Sequence, residues 1–181
     1  MQRSLVGSEM CIRDSTYTPL SDPNSKWTLV LMTRAEIGLL GSYNKYLKSP
    51  FETFYVGGDG MSGSYGYAQE TIALRGYDNG VFTPWRSGDG YAYTRFTAEL
   101  HFPFMLQPST TIYGLAFLEG GNAWTDVKDV SPFNLKRSAG AGVRIYLPMI
   151  GMMGIDWAYG FDKVFGEKGG SHFHFILGQE F

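Results

Sequence analysis

The chain has 181 residues, enough for one domain with a sizeable core. Aromatic residues reach 16 % and there are 24 glycines, a combination suited to many short strands joined by tight turns. A formal charge of −2 without any basic cluster excludes a phosphate-binding surface, so no nucleic-acid partner is expected. No apolar stretch approaches the roughly 20 residues of a membrane-spanning helix, so a place in a membrane would require a closed sheet.

In chain order, residues 1–15 (MQRSLVGSEMCIRDS) come first and carry Cys11, the one cysteine, so no intrachain disulfide forms. Arg3, Glu9, Arg13 and Asp14 interrupt the segment, which lacks the apolar core of an export signal. It reads as a non-native leader, and residues 16–25 read as a linker; neither is counted in the fold. From residue 26 to 181 period-two alternation dominates. Residues 26–41 set Trp27, Leu29, Leu31, Ala35, Ile37 and Leu39 against Lys26, Thr28, Arg34 and Glu36.

A long glycine-rich segment follows, and residues 55–88 are assigned to one loop, a length that usually signals function. Gly58, Gly60 and Gly63 have the spacing of a dinucleotide fingerprint. The residues after them show no helical stripe, which argues against that reading.

Residues 91–104 alternate again, with Phe96, Ala98, Leu100, Phe102 and Phe104 against Tyr93, Arg95, Glu99 and His101. Thr110–Trp124 is the third strand. Here Glu119 shares parity with Tyr113, Leu115 and Phe117, so an inward Glu119 calls either for a β-bulge or for a loop packed inside. Residues 136–147 place Ala139, Ala141, Val143, Ile145 and Leu147 opposite Ser138, Gly140, Gly142 and Arg144. Pro148 and Gly151 fit a tight turn. Residues 151–161 place Met153, Ile155, Trp157, Tyr159 and Phe161 opposite Gly154, Asp156, Ala158 and Gly160. A second turn is placed at 166–170. Residues 171–181 set Phe173, Phe175, Leu177 and Phe181 against His172, His174, Gly178 and Glu180.

A sandwich in water would bury the apolar side of these strands, whereas a membrane barrel turns it to lipid and keeps charged and small residues on the lumen side. Arg144, Asp156, Glu99, His172, His174 and the many glycines suit a hydrated lumen, and Trp27, Trp124, Trp157, Tyr159 and Phe181 suit interfacial girdles. About six antiparallel strands are too few to close a membrane barrel, so the expected fold is all-β, the carboxy-terminal portion of a transmembrane β-barrel. An export signal is then expected further upstream. No catalytic set is evident: there is no GxSxG elbow, and no pocket is implied around Asp156 and Asp162. The His172/His174 pair lacks the further ligands a zinc site needs. Neither a cofactor nor a metal is expected.

FYVGG at residues 54–58, followed by LRGY at 74–77, resembles the BamA family, the bacterial surface antigens, in which an FxxGG element precedes an inward-folded loop with an (V/L)RG(F/Y) tip. KWTLVLMTR, FTAELHFPF, AFLEGGNAW, RSAGAGVRIYLPMIGMMGIDWAYGFD and HFHFILGQEF are similar to the family's strands in the family's order, over residues 26–181. The resemblance implies a cell outer-membrane location and a tip of Leu74, Arg75, Gly76 and Tyr77 inside the lumen, with Glu99 and Glu119 as the wall partners of Arg75. Tyr77 would pack on the wall with its hydroxyl satisfied. It also implies a terminal-strand sorting signal in Phe173, Phe175, Leu177 and Phe181, although Gln179 stands where such a signal has an apolar group. The implied activity is non-enzymatic: barrel proteins are folded into the membrane by strand pairing at a seam. Lipid, unfolded barrel clients and accessory lipoproteins would be the partners. Two-partner secretion transporters share the tip, and a passive pore or an anchor for a fused surface protein is the remaining alternative. A direct Arg75–Glu99 pair would predict that exchanging the two residues restores some function.

Overall fold

The computed structural model describes residues 7–21, 28–42, 53–60, 70–83, 90–107, 110–131, 133–149, 151–164 and 170–178. The strands are β1 (Gly7–Pro19), β2 (Val30–Ser42), β3 (Phe54–Val56), β4 (Glu70–Ile72), β5 (Ala92–Gln107), β6 (Thr110–Trp124), β7 (Lys136–Leu147), β8 (Gly151–Gly160) and β9 (Ser171–Leu177). Seven of them form one antiparallel sheet in the order β1-β2-β5-β6-β7-β8-β9. Neighbours in the sheet are neighbours in sequence except where the long loop intervenes between β2 and β5. The sheet is not closed on itself, as befits part of a larger barrel.

The alternation forms strands because it gives each one an apolar flank to turn outward and a polar flank to turn inward. Ile155, Trp157, Phe173, Phe175 and Leu177 all lie on the outer flank, with Phe173 at 70 % exposure and Ile155 at 50 %. On the other flank Glu36, Arg95, Thr97, Glu99, Glu119, Ser138, Arg144 and Asp156 are buried. This inverts the arrangement of a water-soluble sheet. Apolar rows of this extent are stable only against lipid or another apolar partner.

Three boundaries differ from the sequence reading. Gly7–Pro19, set aside as leader and linker, forms β1 and pairs with β2 along its whole length, from Gly7 opposite Ser42 to Pro19 opposite Val30. Arg13, within that strand, lies 3.0 Å from buried Glu36. The main sheet therefore has seven strands instead of six. The strand begun at residue 26 is described from Val30, and that begun at 91 extends to Gln107. Residues 148 and 149 turn as expected, and Gly151 adopts φ +92°. Trp27, Gly63, Phe181, Gln179 and Glu180 lie outside the described residues, as do 61–69 and 84–89 of the long loop and 165–169 of the second turn.

The long loop is not structureless. β3 and β4 pair in parallel within it, and Phe54, Val56, Ile72, Leu74, Tyr77 and Phe82 pack with Tyr93 of the inner flank and with Val164 beyond β8. This loop core carries the LRGY segment to the middle of the wall.

Candidate functional site

The FYVGG element fixes the base of the tip. Gly57 and Gly58 take φ of +128° and +77°, conformations that favour glycine. Gly58 and Leu74 exchange backbone hydrogen bonds at 3.2 and 3.1 Å. The two motifs, separated by fifteen intervening residues in sequence, thus form one clamp. Leu74 is wholly buried and Arg75 follows it directly onto the wall.

Arg75 spends its planar fork on three carboxylates from three strands. Its Nε and Nη2 donate to Glu119 Oε1 of β6 at 2.9 and 2.6 Å, and its backbone N–H donates to Glu119 Oε2 at 2.9 Å. Nη2 also donates to Glu99 of β5, and Nη1 to Asp156 Oδ2 of β8 at 2.9 Å. Beneath this fork lies the Phe117 ring, its centroid 3.6 Å from the guanidinium carbon, a cation–π contact that adds to the charge pairing. Burial alone would lower the pKa of Arg75, but Glu119 and Glu99 outweigh it and hold the pKa well above its ordinary value. The group stays charged.

The wall carboxylates are themselves held. Arg95 Nη2 donates to Glu119 at 2.9 Å and its Nη1 lies 3.6 Å from Glu36. Arg144 grips both oxygens of Asp156, the Nη2 bond being 2.7 Å. His101 lies 2.9 Å from Glu99. Acid and guanidinium therefore alternate from β2 to β8, with the loop arginine as one member. Ions this buried are tolerable only when each has partners, because desolvation costs several kcal/mol per ion.

Gly76, at φ +89°, turns the chain so tightly that a Cβ there would sit 3.0 Å from the Gly160 nitrogen and 3.0 Å from Ser138 Cβ. Its N–H donates to His174 Nε2 at 3.0 Å. Tyr77 packs edge-on against Phe82 and donates its hydroxyl to the Arg137 carbonyl at 2.7 Å. Burial pushes the Tyr77 pKa up, keeping the phenol protonated as a donor.

The structure brings Arg75 together with both Glu99 and Glu119. The parity of Glu119 is resolved by the loop: Leu115 and Phe117 do turn inward and are buried, Phe117 directly under Arg75. The β5–β6 irregularity falls at Pro103/Met105, away from these residues. Phe173, Phe175 and Leu177 lie on the exposed flank of β9, opposite the flank that carries His174. Asp156, read from sequence as a carboxylate without a pocket, is the third partner of Arg75, while neighbouring Asp162 instead pairs with Arg137. Its inward parity on β8, the same as that of the other wall acids, was the signal for this role. His174, read as a lumen residue, is a direct acceptor for the tip. The wall glycines, read as lining water, are where the tip and the wall charges fit: a Cβ at Gly160 would lie 2.5 Å from the Gly76 oxygen, and one at Gly142 1.8 Å from Asp156.

The sheet thus carries apolar rows on one flank and a glycine-clamped arginine on the other. The Omp85 superfamily domain matches residues 11–181. The chain belongs to the Omp85 superfamily. Proteins of this family are outer-membrane proteins, and they include both BamA insertases and two-partner secretion transporters. The match takes in residues 11–25, which composition alone had left outside the fold. A comparison with curated proteins found no match.

Proposed function

We propose that this Omp85 domain is the barrel part of a BamA-like insertase of the cell outer membrane, which assembles other barrel proteins by lateral strand pairing. The observation that supports this most is the arginine tip anchored to β5, β6 and β8, close to β9, which among the described residues pairs with β8. An edge strand offers its backbone groups to an incoming strand, and a tip locked onto β5, β6 and β8 holds the rest of the wall in register while that edge exchanges partners. The work comes from strand pairing and lipid burial, so no cofactor enters. Unfolded barrel proteins are the clients, lipid is the solvent of the outer flank, and accessory lipoproteins are further partners.

The test is Arg75→Ala in the full-length protein, expressed as the sole copy. Its own barrel should still insert, while the yield of other folded barrels in the outer membrane falls by at least tenfold. Normal client assembly in that variant would sink the proposal, and loss of one secreted substrate with normal client assembly would instead identify a secretion transporter.

A further inference from the structure

Among the described residues the tip meets the terminal strand through a hydrogen bond whose chemistry differs from the rest. Arg75 is held by carboxylates, which accept at any neutral or mildly acidic pH. Gly76 N–H is held by the Nε2 lone pair of His174, at 3.0 Å and buried. An imidazole accepts at Nε2 only when that nitrogen carries no proton, so the neutral ring must keep its hydrogen on Nδ1. A protonated ring presents a donor to a donor and leaves a buried N–H without a partner.

We propose that His174 positions the loop tip on the terminal strand, and that protonation of its ring releases this tie while the carboxylate bonds of Arg75 persist. The groups facing the ring come from every element packed on it. His172 of the same strand stacks at 6.1 Å between centroids and itself lies 3.4 Å from Asp78 of the loop. Asp156 is its cross-strand partner on β8, and Arg75 and Asp59 of the loop act on it through space. Both acids and bases thus face the ring, and the backbone donor decides which ring nitrogen is free. The consequence for a seam rests on the proposed reading of β9; the tie itself rests on the geometry alone.

The measurement is residue-resolved hydrogen exchange on the full-length protein in lipid nanodiscs, corrected for intrinsic exchange, at pH 8 and pH 5. This window brackets the ordinary imidazole range near about 6.5. Protection of the Gly76 amide should fall by about tenfold at pH 5, the worth of one buried hydrogen bond, while that of the Arg75 amide, bound to Glu119, stays. His174→Gln keeps an acceptor that does not titrate and should hold Gly76 protection level across the range. His174→Leu should show the low value at both pH values, and His172→Gln should behave as the native protein. Constant Gly76 protection in the native protein would overturn the proposal without any variant. So would parallel loss at Arg75, or a pH response surviving in His174→Gln. Client assembly is not read in this experiment, so its result is independent of the insertase test.

Discussion

Arg75 shows why this position calls for a guanidinium and not merely a positive charge. Its donors diverge in one plane towards Glu119, Glu99 and Asp156 while its face rests on Phe117. A lysine ammonium is a compact point charge and cannot serve three strands and a ring at once. Arg75→Lys should therefore destabilise the docked tip by about 3 kcal/mol, the usual cost of breaking a buried ion pair, read as increased protease cleavage within the loop. Exchange variants now carry a different expectation from that drawn on sequence. Arg75→Glu with Glu99→Arg would set a new carboxylate against Glu119 and Asp156, so the pair should not recover tip protection. Recovery to the native level would mean that Glu99 is the one partner that matters. Part of this site was legible in the residues: the resemblance carried by the tip motif named Glu99 and Glu119, and Glu99 lies on the polar flank of its strand, whereas the parity of Glu119, shared with apolar neighbours, fitted either a bulge or a packed loop. Asp156 and His174 needed the cross-strand register, which sequence does not state, because a strand's parity gives its face but not its height along the wall.

Within β7 and β8, the glycines have a structural meaning that composition concealed. A hydrated lumen and a packed one both favour small residues on the inner flank, and only the loop's position separates them. A Cβ at Gly142 would fall 1.8 Å from Asp156 Oδ1, one at Gly154 2.6 Å from Arg144 Cδ, and one at Gly140 2.5 Å from the Phe117 ring. The wall is thinned where its ions and the tip must lie flat against it. Gly142→Val should displace Asp156, remove one carboxylate from Arg75 and cost about 1–3 kcal/mol in urea unfolding, as overpacking does. Gly120→Val is the control, since a Cβ there meets nothing nearer than Leu135 Cβ at 3.6 Å, and it should be near neutral. Equal losses in the two variants would mean that any β-branched residue in these strands is harmful, independent of the tip. The same element scale explains Thr110–Trp124: its run of inward apolar residues looked out of register in isolation, yet it is the floor on which Arg75 rests.

For the whole molecule, alternation made the all-β sheet legible from residue 26 onward, with every main-sheet strand of that span found close to its expected place. β1 was missed because interrupting charges and the lack of an export-signal core argued against counting the segment. Pairing with β2 along thirteen residues overrides that local impression, and Arg13 finds Glu36 across the strands. What most separates this molecule from a sandwich in water is its outer flank, where Trp157 lies beside Phe173 with the indole N–H bonded to Ser171 at 2.7 Å. The direct measurement is fluorescence of a full-length protein in which Trp157 is the sole tryptophan, reconstituted into vesicles whose acyl chains carry bromine. Most of the emission should be quenched relative to unbrominated vesicles, as contact with hydrocarbon requires. Emission unchanged by bromine would place that flank against protein or water, and the barrel reading of this chain would be wrong.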